Sequence, residues 1–273
     1  MKLATVRTES GTSAALQVDG GLVLLPFADI GEWLRAGSPA VEQYDGGARV
    51  ALGAADFAPL VTAPGKIVCV GLNYREHILE MGRELPAHPT LFAKFADALI
   101  GANDPIVIPH GSAAVDWEAE LAVVIGTKVW RATEEEAAAA IAGFTVANDI
   151  SARDFQRRTT EWLQGKTFDA TTPLGPFLLT ADEAGTAPDL EISCAVDGVA
   201  KQKAGTGDLV FGPVELVRYI SAVTTLNPGD VILTGTPGGV GDGLNPKEFL
   251  ADGSTVLTSI SGIGECRNTC ITR

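Results

Sequence analysis

Glu118 and Glu120 stand two residues apart at the mouth of an apolar run, Leu121 to Ile125. Side chains at i and i+2 of a strand share a face, so this pair can turn toward one cation. An isolated Glu-x-Glu at a strand end is more often simply solvated. A second acidic strand end, Val146-Ala147-Asn148-Asp149, changes the balance. Three converging carboxylates repel unless a divalent ion neutralises them or their pKa values rise. The chain has only 3 histidines, at positions 77, 88 and 110, so a bound metal falls to carboxylates. That favours a hard cation: Mg²⁺, Mn²⁺ or Ca²⁺.

His77 and Glu80 are three apart, hence neighbours on a helical turn. Such a Glu orients the imidazole and makes it a general base near neutral pH; the plainer alternative is a solvated helix bearing a charge pair. The run Gly235-Thr236-Pro237-Gly238-Gly239-Val240-Gly241 is not a nucleotide loop, because a further loop follows it and no Gly-Lys-Ser or Gly-Lys-Thr occurs there. As a nest of backbone amides it suits a carboxylate.

The elements that must position these groups are mostly strands. Residues 1–64 read as a small β-rich unit with one short helix near Ile30 to Leu34, followed by a charge-free, proline-bearing linker at 57–65. Lys66 to Gly71 opens a buried strand, and residues 65–273 form the larger domain. Thr133 with Glu136 makes a capping box ahead of an alanine-rich helix. Asp197-Gly198 supplies a type I′ hairpin turn. Pro213 to Val223 has helical spacing with proline in its first turn. Cys266 and Cys270 share a strand face and read as core, and Trp117 as packing beside the acidic strand end. The fold class is α+β, strand-dominated.

Composition sets outer bounds. The chain has 273 residues, 46% hydrophobic and 20% charged, enough for a sizeable core. Asp and Glu outnumber Lys and Arg 34 to 20, a net charge of −14, which disfavours nucleic-acid and anionic-lipid partners. No apolar stretch reaches transmembrane length, the N-terminus lacks a secretory h-region, and the four cysteines show no metal-finger spacing. A soluble cytoplasmic protein is the expectation.

One ordered set of motifs spans residues 66–273. It runs Gly71-x-Asn73-Tyr74-x-x-His77-x-x-Glu80, Phe92-x-Lys94, Asp116-x-Glu118-x-Glu120 and Asn148-Asp149, then Ala152-Arg153-Asp154 with Gln156. Lys166 with Phe168-Asp169, Pro173 to Pro176, Thr234 to Gly241, and Gly262-Ile263-Gly264 with Asn268 follow. This set resembles the fumarylacetoacetate hydrolase family. The resemblance implies a mixed β-roll, a smaller N-terminal domain and a homodimer. It makes Glu118, Glu120 and Asp149 the ligands of Mg²⁺ or a similar ion, and His77 with Glu80 a water-activating dyad on a segment closing over substrate. It gives Lys166 a catalytic charge and assigns substrate contacts to Gln156, Thr236, Arg153 and Lys94. One departure is Thr167, where relatives often carry glycine or serine after the lysine.

The expected reaction is C–C hydrolysis of an acylpyruvate-type 2,4-dioxo acid through a metal-stabilised enolate, with Lys166 facing the developing charge. Oxaloacetate decarboxylation and isomerisation of a 2-hydroxyhepta-2,4-diene-1,7-dioate use the same enolate and stand as alternatives. A non-catalytic metal- and 2-oxo-acid-binding protein is the alternative of another class. Selectivity is expected from Met81 to Pro89 and from loops such as Arg157 to Gln164. An anionic substrate gains nothing from the overall charge, so local cations must attract it inside a Debye length of roughly 8 Å.

Overall fold

In the computed structural model, residues 1–44, 46–80 and 82–273 are described. Among the described residues two large mixed sheets face each other across one core, beside a two-stranded sheet of Val115–Asp116 and Ser151–Ala152. The larger runs in the order Arg49–Ala51, Gly21–Leu24, Gly11–Val18, Lys2–Thr8, Thr172–Thr180, Ile141–Asn148, Ala119–Ile125, Val231–Leu233, Ile67–Gly71, Thr90–Lys94, with Leu99–Ile100 off this path. The smaller runs Val199–Gly205, Glu191–Val196, Thr255–Ile260, Gly264–Ile271, Ile106–Val107.

Strand alternation explains how both faces of the large sheet are used. Leu121, Val123 and Ile125 join Ile192, Val256 and Cys266 of the small sheet, together with Leu216, Val217 and Ile220 of the Pro213–Val223 helix. Ala122 and Val124 face the other way, packing with Leu178, Leu233, Ile30 and Trp33. Cys266 and Cys270 are both buried, as their shared strand face requires. The Thr133 capping box is complete. The Asp197-Gly198 turn has both residues at positive φ, 51° and 78°, the geometry a type I′ turn demands.

The first 64 residues contribute strands to the large sheet. Lys2–Thr8 pairs antiparallel with Thr172–Thr180 through Lys2↔Leu179, Leu3↔Leu178 and Ala4↔Phe177, so the N-terminal strands extend the large sheet. The stretch expected to be a linker is packed as well. Leu60 and Val61 are buried, Thr5 Oγ1 donates to the Leu60 carbonyl at 2.6 Å, and Val6 bridges Phe57. A segment without charges, rich in apolar side chains, gains more from burial than from the freedom of a tether. Among the described residues, no helix is long and apolar enough to cross a membrane.

Candidate active site

The acidic floor is made by one antiparallel pairing. Ala119↔Asn148 and Glu120↔Ala147 set the register, and the Asp149 amide donates to the Glu118 carbonyl at 2.8 Å. The end of the Ile141–Asn148 strand therefore lies beside the start of Ala119–Ile125, bringing Asp149 to the two glutamates. One oxygen of each of Glu118, Glu120 and Asp149 lies within 4.8 Å of the others, and all three residues are buried.

Cations balance this burial. Lys166 Nζ donates to Glu118 Oε2 and Asp149 Oδ2, both at 2.7 Å. Lys94 Nζ reaches Asp149 Oδ1 at 2.6 Å. Arg153 spans two acids, Nη1 to Glu118 Oε1 at 2.7 Å and Nε to Asp116 Oδ2 at 2.8 Å. Burial alone would raise the Asp149 carboxyl, but the two lysines override it and hold it below its ordinary value. Among the described residues Glu120 makes no ion pair of this kind, and the Lys166 charge and the Gly235 amide lower its carboxyl only in part. Burial, then the charges of Asp149 and Glu118, push its carboxyl well above the usual range. Burial acts to lower the Lys166 ammonium, yet Asp149 and Glu118 leave it raised.

This cluster fits a divalent cation. Its donors are hard carboxylate oxygens, and ions with bonds of about 2.0–2.6 Å place opposed ligands about 4–5 Å apart. Lys166 Nζ already bridges two of the three carboxylates, so positive charge belongs at this spot. The surplus proton affinity of Glu120 is what one more positive charge would relieve.

The glycine-rich run forms one wall, and its nest is used differently from the expectation. Gly235 donates its amide to Glu120 Oε2 at 2.6 Å, while Gly241 and Asp242 donate theirs to Asp116 at 2.7 and 3.0 Å. Those amides serve the protein's own carboxylates. Trp117 is more than packing: Nε1 donates to the Gly239 carbonyl at 3.1 Å. A Cβ on Gly239 would lie 2.0 Å from the Lys201 carbonyl oxygen, so no larger residue fits there. Gln202, from the small sheet, donates to Thr236 Oγ1 and the Pro237 carbonyl and accepts from the Ala119 amide.

The opposite wall is the short helix Arg75–Glu80. The chain leaves Ile67–Gly71 through Leu72 at φ 56°. Asn73, fully buried, then fixes the turn. Its Nδ2 donates to the carbonyls of Phe211 and Thr234 at 3.0 and 2.8 Å, and its Oδ1 accepts from the Phe211 amide at 2.8 Å. His77 Nδ1 and Glu80 Oε2 both flank Gly238, 3.2 and 3.4 Å from where its Cβ would be. Burial lowers the His77 pKa below 6.5, and the charges of Glu80 and Glu118 offset this only in part. The imidazole is therefore neutral, and basic, at neutral pH.

His77, Glu118, Arg153, Gln156, Lys166 and Thr236 line one cavity of about 310 Å³. Glu120 and Asp149 do not line it; they are buried beneath Glu118 and Lys166, the members of the cluster that reach its wall. Glu80 lies behind His77, lining a neighbouring cavity of about 270 Å³ with Tyr74 and Gly238. Lys94, expected at the substrate, is absent from the cavity wall; it is the sealed counter-ion of Asp149, whose burial demands one. Gln156 accepts from Arg153 Nη1 at 3.1 Å. Of the residues expected to govern selectivity, Arg83, Arg157 and Trp162 line the cavity, and Met81 lies outside the described residues. Reasoning from sequence missed the roles of Asp116, Asn73 and Gln202. The first two stood inside recognised motifs. Gln202 carried no signal, because its contact spans from one sheet to the other.

A strand-rich roll enclosing three buried carboxylates and a half-buried His defines an enzyme of one family: residues 66–271 match the fumarylacetoacetate hydrolase C-terminal family, to which the chain belongs. It is 47% identical, over 210 residues, to a mitochondrial oxaloacetate tautomerase of Bos taurus, covering 76% of this chain and 67% of that one. Among solved structures it resembles a fumarylacetoacetate hydrolase from Exiguobacterium antarcticum, with TM-score 0.91, 30% identity and full coverage of both chains. It also resembles a maleylpyruvate hydrolase from Sphingobium in complex with manganese and pyruvate, with TM-score 0.83, 26% identity, and 100% and 99% coverage.

Proposed function

We propose that this enzyme interconverts the keto and enol forms of a small 2-oxo dicarboxylic acid of the oxaloacetate type, with a divalent cation held by Glu118, Glu120 and Asp149. One observation carries the reading. A histidine kept neutral by burial shares a cavity of about 310 Å³ with the cations Lys166 and Arg153, so a base and fixed positive charge face the same small space. The choice of oxaloacetate rests on the tautomerase relative, at 47% identity.

When bound, the cation supplies Lewis acidity and a template for the carboxylate and 2-oxo oxygens. His77 takes a proton from C3 of the keto form, and the C–H electron pair becomes the C2–C3 double bond. The electrons of the carbonyl move onto its oxygen, facing Lys166. Returning the proton to that oxygen completes the enol. The carboxylate of Glu80 stabilises the imidazolium that exists between the two transfers. Hydrolysis, decarboxylation and diene isomerisation all require a related enolate, so tautomerisation is the simplest reaction of this machinery.

A second reading is C–C hydrolysis of an acylpyruvate. It is supported by the cavity of about 270 Å³ behind His77, room for several waters beside the dyad, and by the relative named as a maleylpyruvate hydrolase. Three assays with Mg²⁺ or Mn²⁺ separate the readings: loss of oxaloacetate enol absorbance, pyruvate release from oxaloacetate, and acylpyruvate cleavage. Tautomerisation is expected to be the fastest and to stop with EDTA and in Glu118→Ala. Enol decay at the buffer rate alongside rapid acylpyruvate cleavage overturns the proposal in favour of the second reading.

A further inference from the structure

The cavity wall carries four cationic side chains, Arg83, Arg153, Arg157 and Lys166, against two carboxylates, Glu118 and Asp242. Three of the four are committed. Arg153 serves Asp116, Glu118 and Gln156; Lys166 serves Glu118 and Asp149; Arg157 pairs with Asp242 through both terminal nitrogens. Arg83 is the exception. Among the described residues its guanidinium makes no hydrogen bond or ion pair, and it is exposed at the cavity mouth. Its backbone amide donates to the Ile78 carbonyl at 3.2 Å, which ties it to the helix bearing His77. Its charge is felt at the His77 imidazole.

We propose that Arg83 receives the second carboxylate of a 2-oxo dicarboxylic substrate and so selects dianions over monoanions. The inference rests on the reading that a 2-oxo acid binds through its C1 carboxylate and C2 oxygen at the acidic floor. The carbon that His77 deprotonates is then C3, and the second carboxylate is bonded directly to C3. That carboxylate must lie near His77, in the cavity whose wall His77 and Arg83 share. A guanidinium meets a carboxylate through two parallel N–H donors, and a charge-assisted hydrogen bond is among the stronger contacts available. Closing this contact would also draw the Arg83 turn, and with it the His77 helix, against the substrate. Recruitment is thus local, and the net charge of −14 does not oppose it beyond the screening length.

The test is calorimetric and needs no turnover. Malate and lactate share a 2-hydroxy-acid end, but only malate has the second carboxylate. Titrated with Mn²⁺ present, the unaltered protein is expected to hold malate about tenfold or more tighter than lactate, as one such bond predicts. Arg83→Gln should reduce that preference to about twofold while leaving lactate binding in place, and Arg83→Lys should restore part of it. A malate preference that survives Arg83→Gln, equal weakening of both ligands, or no preference in the unaltered protein overturns the proposal. Failure of the tautomerase reading is seen separately, as absence of catalysed enol loss.

Discussion

The floor of the cavity and the helix that faces it solve different problems. Glu118 with Glu120, Asp149, Lys94 and Lys166 come from four segments, are buried, and meet through strand pairing and ion pairs. His77 and Glu80 come from one six-residue helix, with Glu80 exposed and His77 half-buried. The floor holds charge, which demands rigidity and complete compensation, because an unpaired buried ion is costly. In the proposed reaction the helix moves protons, which demands a tuned base and access to substrate. A family whose members are named as tautomerases and hydrolases can alter the second region without disturbing the first.

The largest effects should come from breaking the floor. Asp149→Ala leaves Lys94 and Lys166 without their shared partner. Loss of about 3–5 kcal/mol of stability is expected, seen as a lower denaturant midpoint together with loss of activity. If the variant unfolds like the parent, the floor is not the stabilised unit described here. Removing the base should do the opposite. His77→Ala is expected to reduce kcat by about 10²–10⁴ while divalent-ion binding and the unfolding midpoint stay near those of the parent. A large stability loss there would erase the contrast between the regions.

Two smaller effects sharpen the comparison. Asn73→Ala removes three hydrogen bonds at the root of the helix and strands buried groups of Phe211 and Thr234. About 1–3 kcal/mol is expected, with a rise in hydrogen exchange concentrated at residues 73–80 rather than in the strands. The subtlest is a pH profile. A base works unprotonated, and the His77 pKa lies below 6.5, so the acid limb of kcat/KM should fall below pH 6.5. Activity is held as pH drops to that point and is lost as the imidazole protonates. Glu80 raises this pKa, hence Glu80→Gln should move the limb lower still. A shift upward would mean that Glu80 does not face the imidazole as charge.

Much of this was legible beforehand because the relevant physics is local. The spacing of His77 and Glu80, the i,i+2 relation of Glu118 and Glu120, the Thr133 capping box and the Asp197-Gly198 turn each depend on a few consecutive residues. Motif order then supplied the family. The packing of the N-terminal strands was not legible for the complementary reason: the 57–65 stretch has linker-like prolines yet is buried at Leu60 and Val61, and pairing of Lys2–Thr8 with Thr172–Thr180 joins partners more than 160 positions apart.

What the sequence determined by itself was the inventory: carboxylates that suit a hard cation, a His–Glu pair at helical spacing, and a strand-rich scaffold to carry both. What only the tertiary structure decided was allocation. Lys94 went to Asp149, the Gly235 and Gly241 amides went to Glu120 and Asp116, and Arg83 was left facing the cavity. Charge pairing depends on distance and burial, and both are set by contacts between segments that the linear order does not bring together.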